Sequence, residues 1–432
     1  MRRGRSLIWF GLAAWVLAAP AVVRAQGQSP GGDVTVDELV TRALADNLEL
    51  RAARAEIDAA RGRLRQAGLR PNPMLELAGQ QNVAGPDNNV MVGVTVPLDL
   101  NGRKEGRVAV AEHELELKRA QIGDRERRLR AEVRLKAGEV LAAVRNLRFT
   151  EELLDVNRQA FNLIQERVRK GAAPPLEESL LLVEVNRLDA SRRGLESRVQ
   201  VLALQLRAMV GVEPQVPLSV QEDLSGAPEA PARDLGVERA LQGRPDLSMA
   251  RADLNVARAR IQKEEAEGRW DASVNVGYQR QDTGFALNGL TDRGGTRPIQ
   301  DVFHMVGGGV TITLPVRNRN QGNVAASKAE ALAAERRLEF MRLIIRQEVE
   351  AAYTQELAAR QSLEIYARGV REVARQNLDV VRQSYQLGRV PLLDVIAEQR
   401  RYIEIETGYT DSLKQVYDGA VEVERVIGSP AR

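Results

Sequence analysis

Apolar positions along this chain follow two periods, and the switch between them marks its elements. Val133, Val140, Leu147, Leu154, Phe161 and Val168 recur every seven residues, and so do Leu338, Ile345, Ala352, Ala359, Tyr366, Val373, Val380 and Leu387. Seven-residue apolar repeats pack helices as coiled coils, and the small members let helices approach closely. Both sets lie in proline-free runs, 102–171 and 322–388. As continuous helices each run measures about 100 Å at roughly 1.5 Å per residue.

Four short segments alternate every second residue, which predicts strands with two unlike faces. Val90, Val92, Val94 and Val96 oppose Met91, Gly93 and Thr95; Val274, Val276 and Tyr278 oppose Asn275, Gly277 and Gln279. Val306, Val310, Ile312 and Leu314 oppose Gly307, Gly309, Thr311 and Thr313, while Leu75 and Leu77 mark a fourth strand over 74–80. Polar loops are expected at 83–89 and 282–301, closing two hairpins.

Sliding the chain against itself by 197 residues reveals a duplication. Residues 43–64 lie over 240–261, so that Arg54, Ala55, Ala60, Arg61 and Arg63 meet Arg251, Ala252, Ala257, Arg258 and Arg260. After small gaps, the segment near Val94 matches that near Val310, and the turn at Gly171 matches the turn at Gly388. Each half therefore predicts helix, hairpin, long helix, Gly/Pro turn and returning helix. The expected organisation is a signal peptide over 1–25, a flexible N-terminal tail over 26–36, a first repeat over 37–210, a Pro/Gly-rich linker over 211–234, a second repeat over 235–428 and a C-terminal tail over 429–432. Pro214, Pro217, Pro228 and Pro231 bar a continuous helix from the linker.

Composition changes this picture mainly through export. Arg2, Arg3 and Arg5 precede an apolar run over 7–19 that ends at Val23, Arg24 and Ala25, the pattern of a cleaved secretory signal. The run is shorter than the roughly 20 residues a spanning helix needs. Loss of the four arginines Arg2, Arg3, Arg5 and Arg24 turns 62 basic against 59 acidic residues into 58 against 59. A near-neutral exported chain speaks against nucleic-acid binding. Zero cysteines exclude disulfides and a lipidated N-terminal Cys. The two histidines, His113 and His304, fit no metal-ligand spacing, and no nucleophile, phosphate loop or cofactor motif emerges, so neither an enzyme nor a cofactor is expected.

Two hairpins leave open strand edges, which cannot face lipid. Three copies would give twelve strands, enough to close a membrane barrel around a water-filled lumen.

At this point the chain resembles the TolC-like outer membrane efflux proteins, over essentially its whole mature length. The matching strings are RPDL from Arg244, GRVPLLDVI from Gly388 and PLDLNGR from Pro97, in order within the duplicated frame. The style of PLDLNGR is similar to the heavy-metal branch that serves cobalt, zinc and cadmium pumps. The resemblance implies a mainly α fold with a small β part: a trimeric outer-membrane β-barrel, four strands per chain, continued by a long α-helical coiled-coil barrel. It implies a homotrimer in outer membrane lipid, passively conducting heavy-metal cations or drugs, with a periplasmic adaptor (membrane fusion protein) and an inner-membrane transporter of the resistance-nodulation-division type as partners.

The resemblance also places a periplasmic gate at the two Gly/Pro turns. The turns carry Gly171 with Pro174 and Gly388 with Pro391; the acids six positions after each glycine are Glu177 and Asp394, and Tyr385 matches an aromatic three before the second glycine. Val390 stands where the family can place a basic residue, with Arg389 adjacent. Asp394 has two open readings: a gate carboxylate, or an acid favoured in the first turn of any helix. The alternative function, a soluble periplasmic coiled-coil adaptor or scaffold, leaves the paired Val-lined hairpins without a use.

Overall fold

A computed structural model describes residues 33–83, 85, 87–226 and 232–428. The expected signal peptide and its cleavage point, most of the N-terminal tail, part of the linker and the C-terminal tail lie outside the described residues.

The first half runs β1 (Asp33–Val34), α1 (Val36–Asp46), α2 (Leu48–Ala67), β2 (Met74–Gln81), β3 (Asn88–Pro97), α3 (Arg103–Arg169) and α4 (Pro175–Val210). The second runs β4 (Ser219–Val220), a 3-10 turn (Leu224–Gly226), α5 (Arg233–Gly243), α6 (Pro245–Glu267), β5 (Asp271–Leu290), β6 (Thr296–Thr313), α7 (Gln321–Ile365), a π turn (Tyr366–Val370), α8 (Arg371–Gln386) and α9 (Leu392–Ile427). The single helix expected before each hairpin is thus two. Asn47 both ends α1 and caps α2, its side chain accepting from the Leu50 amide at 2.9 Å; in the second half Pro245 starts α6 at a position where no amide is needed.

Two expected non-helical stretches carry structure. The tail expected over 26–36 gives way at Asp33 to β1, which pairs in parallel with β4 inside the expected linker, Val34 against Val220. Thr35 then opens α1 with a capping box, since its hydroxyl accepts from the Glu38 amide and the Glu38 carboxylate accepts from the Thr35 amide.

β2, β3, β5 and β6 form one antiparallel sheet in that order, so the two repeats meet at β3–β5. The register aligns the alternation: Leu77 pairs Val92, Val92 pairs Tyr278 and Tyr278 pairs Val306, while on the other face Glu76, Gly93, Gly277 and Gly307 form one row. β2 and β6 are open edges, and β6 is exposed along its whole length. The loop expected over 282–301 is a correction: β5 continues to Leu290 and β6 begins at Thr296, with a register shift between Gly284 and Asn288. Around that shift the apolar residues change parity, Phe285 and Leu287 on odd positions and Leu290 on an even one, so no period of two marks the strand.

The cores lie along the helix bundles and are duplicated. Leu39, Ala43, Val133, Val140, Leu206 and Val210 fill the first; Ala240, Leu247, Leu338, Ile345, Val423 and Ile427 fill the second. Tyr417, Val421, Ala131 and Leu224 join the halves. The uninterrupted second helix expected over 322–388 is broken by the π turn. One extra residue there rotates everything downstream by about 100°. Leu338, Ile345 and Ala352 are buried as the heptad predicts, but below the turn Ala374 and Leu378 are buried, while Val373, Val380 and Leu387 are 50%, 61% and 68% exposed.

Candidate functional site

The two Gly/Pro turns lie together at the end of the long helices remote from the sheet. Each long helix ends in the same motif: the Ala172 amide reaches the Arg167 carbonyl at 2.7 Å and the Arg389 amide reaches the Ser384 carbonyl at 2.9 Å. The motif requires a left-handed residue, supplied by Gly171 at φ +71° and Gly388 at φ +72°. Pro174 and Pro391, both extended, then start α4 and α9. Three residues on, Glu177 and Asp394 occupy equivalent first-turn positions, their amides bonded to the Pro174 and Pro391 carbonyls at 3.0 and 3.1 Å.

Beneath the turns Ile164, Leu181, Leu392, Val395 and Ile396 pack into one cluster with Phe161, Val381 and Tyr385 at its margin. This cluster draws Tyr385, from the second repeat, onto Glu177, from the first: the phenol donates to Glu177 Oε2 at 2.8 Å. Burial, together with that carboxylate, pushes the Tyr385 hydroxyl up to about 12, so it stays a donor throughout the neutral range. Asp394 and Arg389 are not drawn in. Both are exposed, and neither side chain has a hydrogen-bond or ion-pair partner among the described residues. The structure therefore separates the candidate residues into a joined pair, Tyr385 with Glu177, and two free charges.

A further charged tie lies one turn of α4 above this cluster. Glu184 is fully buried, and its carboxylate accepts from Arg187 at 3.1 Å and from Arg400 of α9 at 2.9 Å. Burial alone would raise the Glu184 carboxyl; the hydrogen bonds from Arg187 and Arg400 outweigh it and hold the group below its ordinary value. Sequence reasoning missed this tie. The signal was present, because Glu184 stands between Leu181 and Leu188 on the buried face of α4, where an acid is costly without a partner.

Higher up, Arg244 and Asp246 of the RPDL string form a second buried charge group. Arg244, 2% exposed, donates from Nε to Asp246 at 3.0 Å and pairs with Glu348 at 2.7 Å, and Arg127 adds a contact to Asp246 at 3.4 Å. In PLDLNGR, Arg107 grips Asp99 at 2.6 and 3.0 Å, and Arg103 pairs with Glu267 at 3.0 Å. These strings lock α3 against α6 and the helices against the sheet. Among the described residues, no group of three or more His, Cys, Asp or Glu is placed to hold a metal ion, and no helix is long and apolar enough to cross a membrane.

A family model for outer membrane efflux proteins matches residues 39–212 and 236–429. The chain is 24% identical over 398 residues to the cobalt-zinc-cadmium resistance protein CzcC of Cupriavidus metallidurans, covering 92% of this chain and 90% of that protein. Its fold is similar to that of CusC, whose crystal structures concern folding and transmembrane channel formation, with a TM-score of 0.75, 18% identity and coverage of 92% and 93%. The Campylobacter jejuni outer membrane channel CmeC gives 0.74 at 13% identity, with coverage of 98% and 94%.

Proposed function

The chain belongs to the outer membrane efflux protein family and is an outer-membrane exit duct of an efflux pump; from that premise we propose that three copies close one tube across outer membrane and periplasm. The observation that carries this reading is the sheet. Its apolar face runs in register through Leu77, Val92, Tyr278 and Val306, its other face is mainly polar or glycine with Met91, Phe303 and Met305 as apolar exceptions, and both edges are open. An isolated sheet of this kind leaves its edges unsatisfied and its apolar face in water. Edge pairing of β6 with β2 of the next copy removes both defects, giving a twelve-stranded barrel with lipid outside and water inside. The long helices continue the tube, and the exposed Val373, Val380 and Leu387 gain cover between copies.

The tip is the gate. Asp394, free and exposed, contributes a three-fold ring of carboxylates that favours cations at a narrow end, while the Tyr385–Glu177 bond holds the two repeats' tips together and must break for them to part. A periplasmic adaptor and an inner-membrane transporter of the resistance-nodulation-division type dock at this end and deliver the substrate. Heavy-metal cations suit an acidic ring, and drugs are the other substrate class. The duct conducts passively.

Light scattering on the detergent-purified protein, followed by single-channel recording in planar bilayers, tests the assembly. A trimer with conductance is expected. A stable monomer without detergent would instead favour the soluble adaptor or scaffold.

A further inference from the structure

The barrel's helix-side rim has a chemistry that the duct itself does not use. Met74 pairs with Thr95, Pro97 with Ser273 and Asp271 with Thr313, so all four connections to the helices leave from one rim. Trp270 and Leu314 stand one step beyond the Asp271–Thr313 pair and continue the apolar face of β5 and β6. Leu69, Trp270, Leu314 and Val316 are all exposed there. Directly beyond them come Arg70, Arg317 and Arg319, exposed and without an acidic partner among the described residues. Many exposed arginines elsewhere pair locally, as Arg54 does with Glu126, Arg158 with Asp189 and Arg233 with Glu350. The nearby acids Glu267 and Asp271 are engaged by Arg103, and Glu265 by Lys328. Arg319 borders a groove of about 410 Å³ that Val324 and Ala325 also line.

We propose that this rim is a binding site for an anionic phospholipid of the inner leaflet, its phosphodiester held by Arg319 and Arg317 and its acyl chains lying along Leu314, Val316 and Trp270. The inference rests on the trimeric barrel reading, and that reading sharpens it. Closing the barrel sets the β2 edge of one copy beside the β6 edge of the next, so Leu69 and Arg70 of the neighbour complete the site. Three such sites then sit at the protomer junctions. Free guanidinium groups just outside an apolar band match a phosphate layer lying against hydrocarbon. The site ties assembly to the anionic content of the membrane.

The chain carries its own probe. Its tryptophans are Trp9, Trp15 and Trp270, and the first two fall in the segment expected to be removed on export. The test reconstitutes the exported trimer, with Trp9 and Trp15 replaced by Phe if mass shows them retained, into phosphatidylcholine vesicles containing some phosphatidylglycerol. The acyl chains of either one lipid or the other carry bromine, which quenches indole fluorescence at contact. Brominated phosphatidylglycerol is expected to be enriched beside Trp270 by about fivefold or more over its bulk fraction. The enrichment should fall with salt and disappear in the Arg70→Gln/Arg317→Gln/Arg319→Gln variant, while quenching by brominated phosphatidylcholine persists. Quenching by the two lipids in proportion to their bulk fractions in the parent protein, or a preference that survives the triple change, overturns the site. No quenching by either lipid overturns the membrane barrel itself.

Discussion

Replacing Tyr385 with Phe removes one oxygen from the tip and leaves its packing in place. The ring stays at the margin of the cluster formed by Ile164, Leu181, Leu392, Val395 and Ile396, while the 2.8 Å bond to Glu177 is lost. A hydrogen bond to a charged group contributes about 1.5–3 kcal/mol, and the half-buried position of Tyr385 puts this one near the lower figure. At about 1.4 kcal/mol per factor of ten, one bond shifts the balance between closed and open tips about tenfold, and three bonds broken together shift it about a thousandfold. Single-channel recording of Tyr385→Phe in planar bilayers should therefore show a raised open fraction at unchanged single-channel conductance. The double variant with Glu177→Ala should add little to either change alone, because both remove the same bond. The hydroxyl's raised value of about 12 sets the pH dependence. A raised folded-state value means the contribution is complete below the unfolded tyrosine's value of about 10 and is lost as pH rises through about 12. The parent tip should thus be insensitive to pH through the neutral range and loosen only in strong alkali. An open fraction unchanged in Tyr385→Phe, in a protein shown to be trimeric, would refute the latch.

Replacing Glu184 with Ala removes its hydrogen bonds from Arg187 and Arg400, which are themselves exposed, and should lower stability by about 1.5–3 kcal/mol, read as a drop in the thermal midpoint by circular dichroism in detergent. Because the Glu184 carboxyl is held below its ordinary value, its contribution is present above about 4.5 and lost as pH falls through the lower folded-state value; the parent and variant midpoints should converge in acid. Asp394→Ala should reduce cation preference in bilayers, Glu177→Ala should act in the same direction, and the pair together should exceed either. Unchanged ion selectivity in an assembled Asp394→Ala trimer would leave Asp394 as a helix-start acid alone.

The parts of this protein legible in its sequence are those where one face of an element meets a different medium from the other. Val133, Val140, Leu154 and their heptad partners are buried or half-buried along α3, and the alternation over 88–97 and 274–279 lies in strands whose two faces are chemically opposed. The duplication, the two turn glycines and the equivalence of Glu177 and Asp394 follow from residue order alone, because a repeat and a left-handed turn are each written in neighbouring residues. The strand extensions beyond Asp282 were hidden because their apolar residues change parity, Phe285 and Leu287 against Leu290, and so write no period of two.

What only the tertiary structure decided is which distant residues meet. Tyr385 and Glu177 lie 208 positions apart, and Glu184 and Arg400 lie 216 apart; no local pattern carries a contact across that separation. The π turn at Tyr366–Val370 is of the same kind. An unbroken heptad through Leu387 gives no sign of it, and Tyr366 at its start packs against Gly408 of α9, 42 positions away. Periodicity reports the medium on each face of an element, whereas partners are chosen by how the elements pack, and packing is a property of the folded chain as a whole.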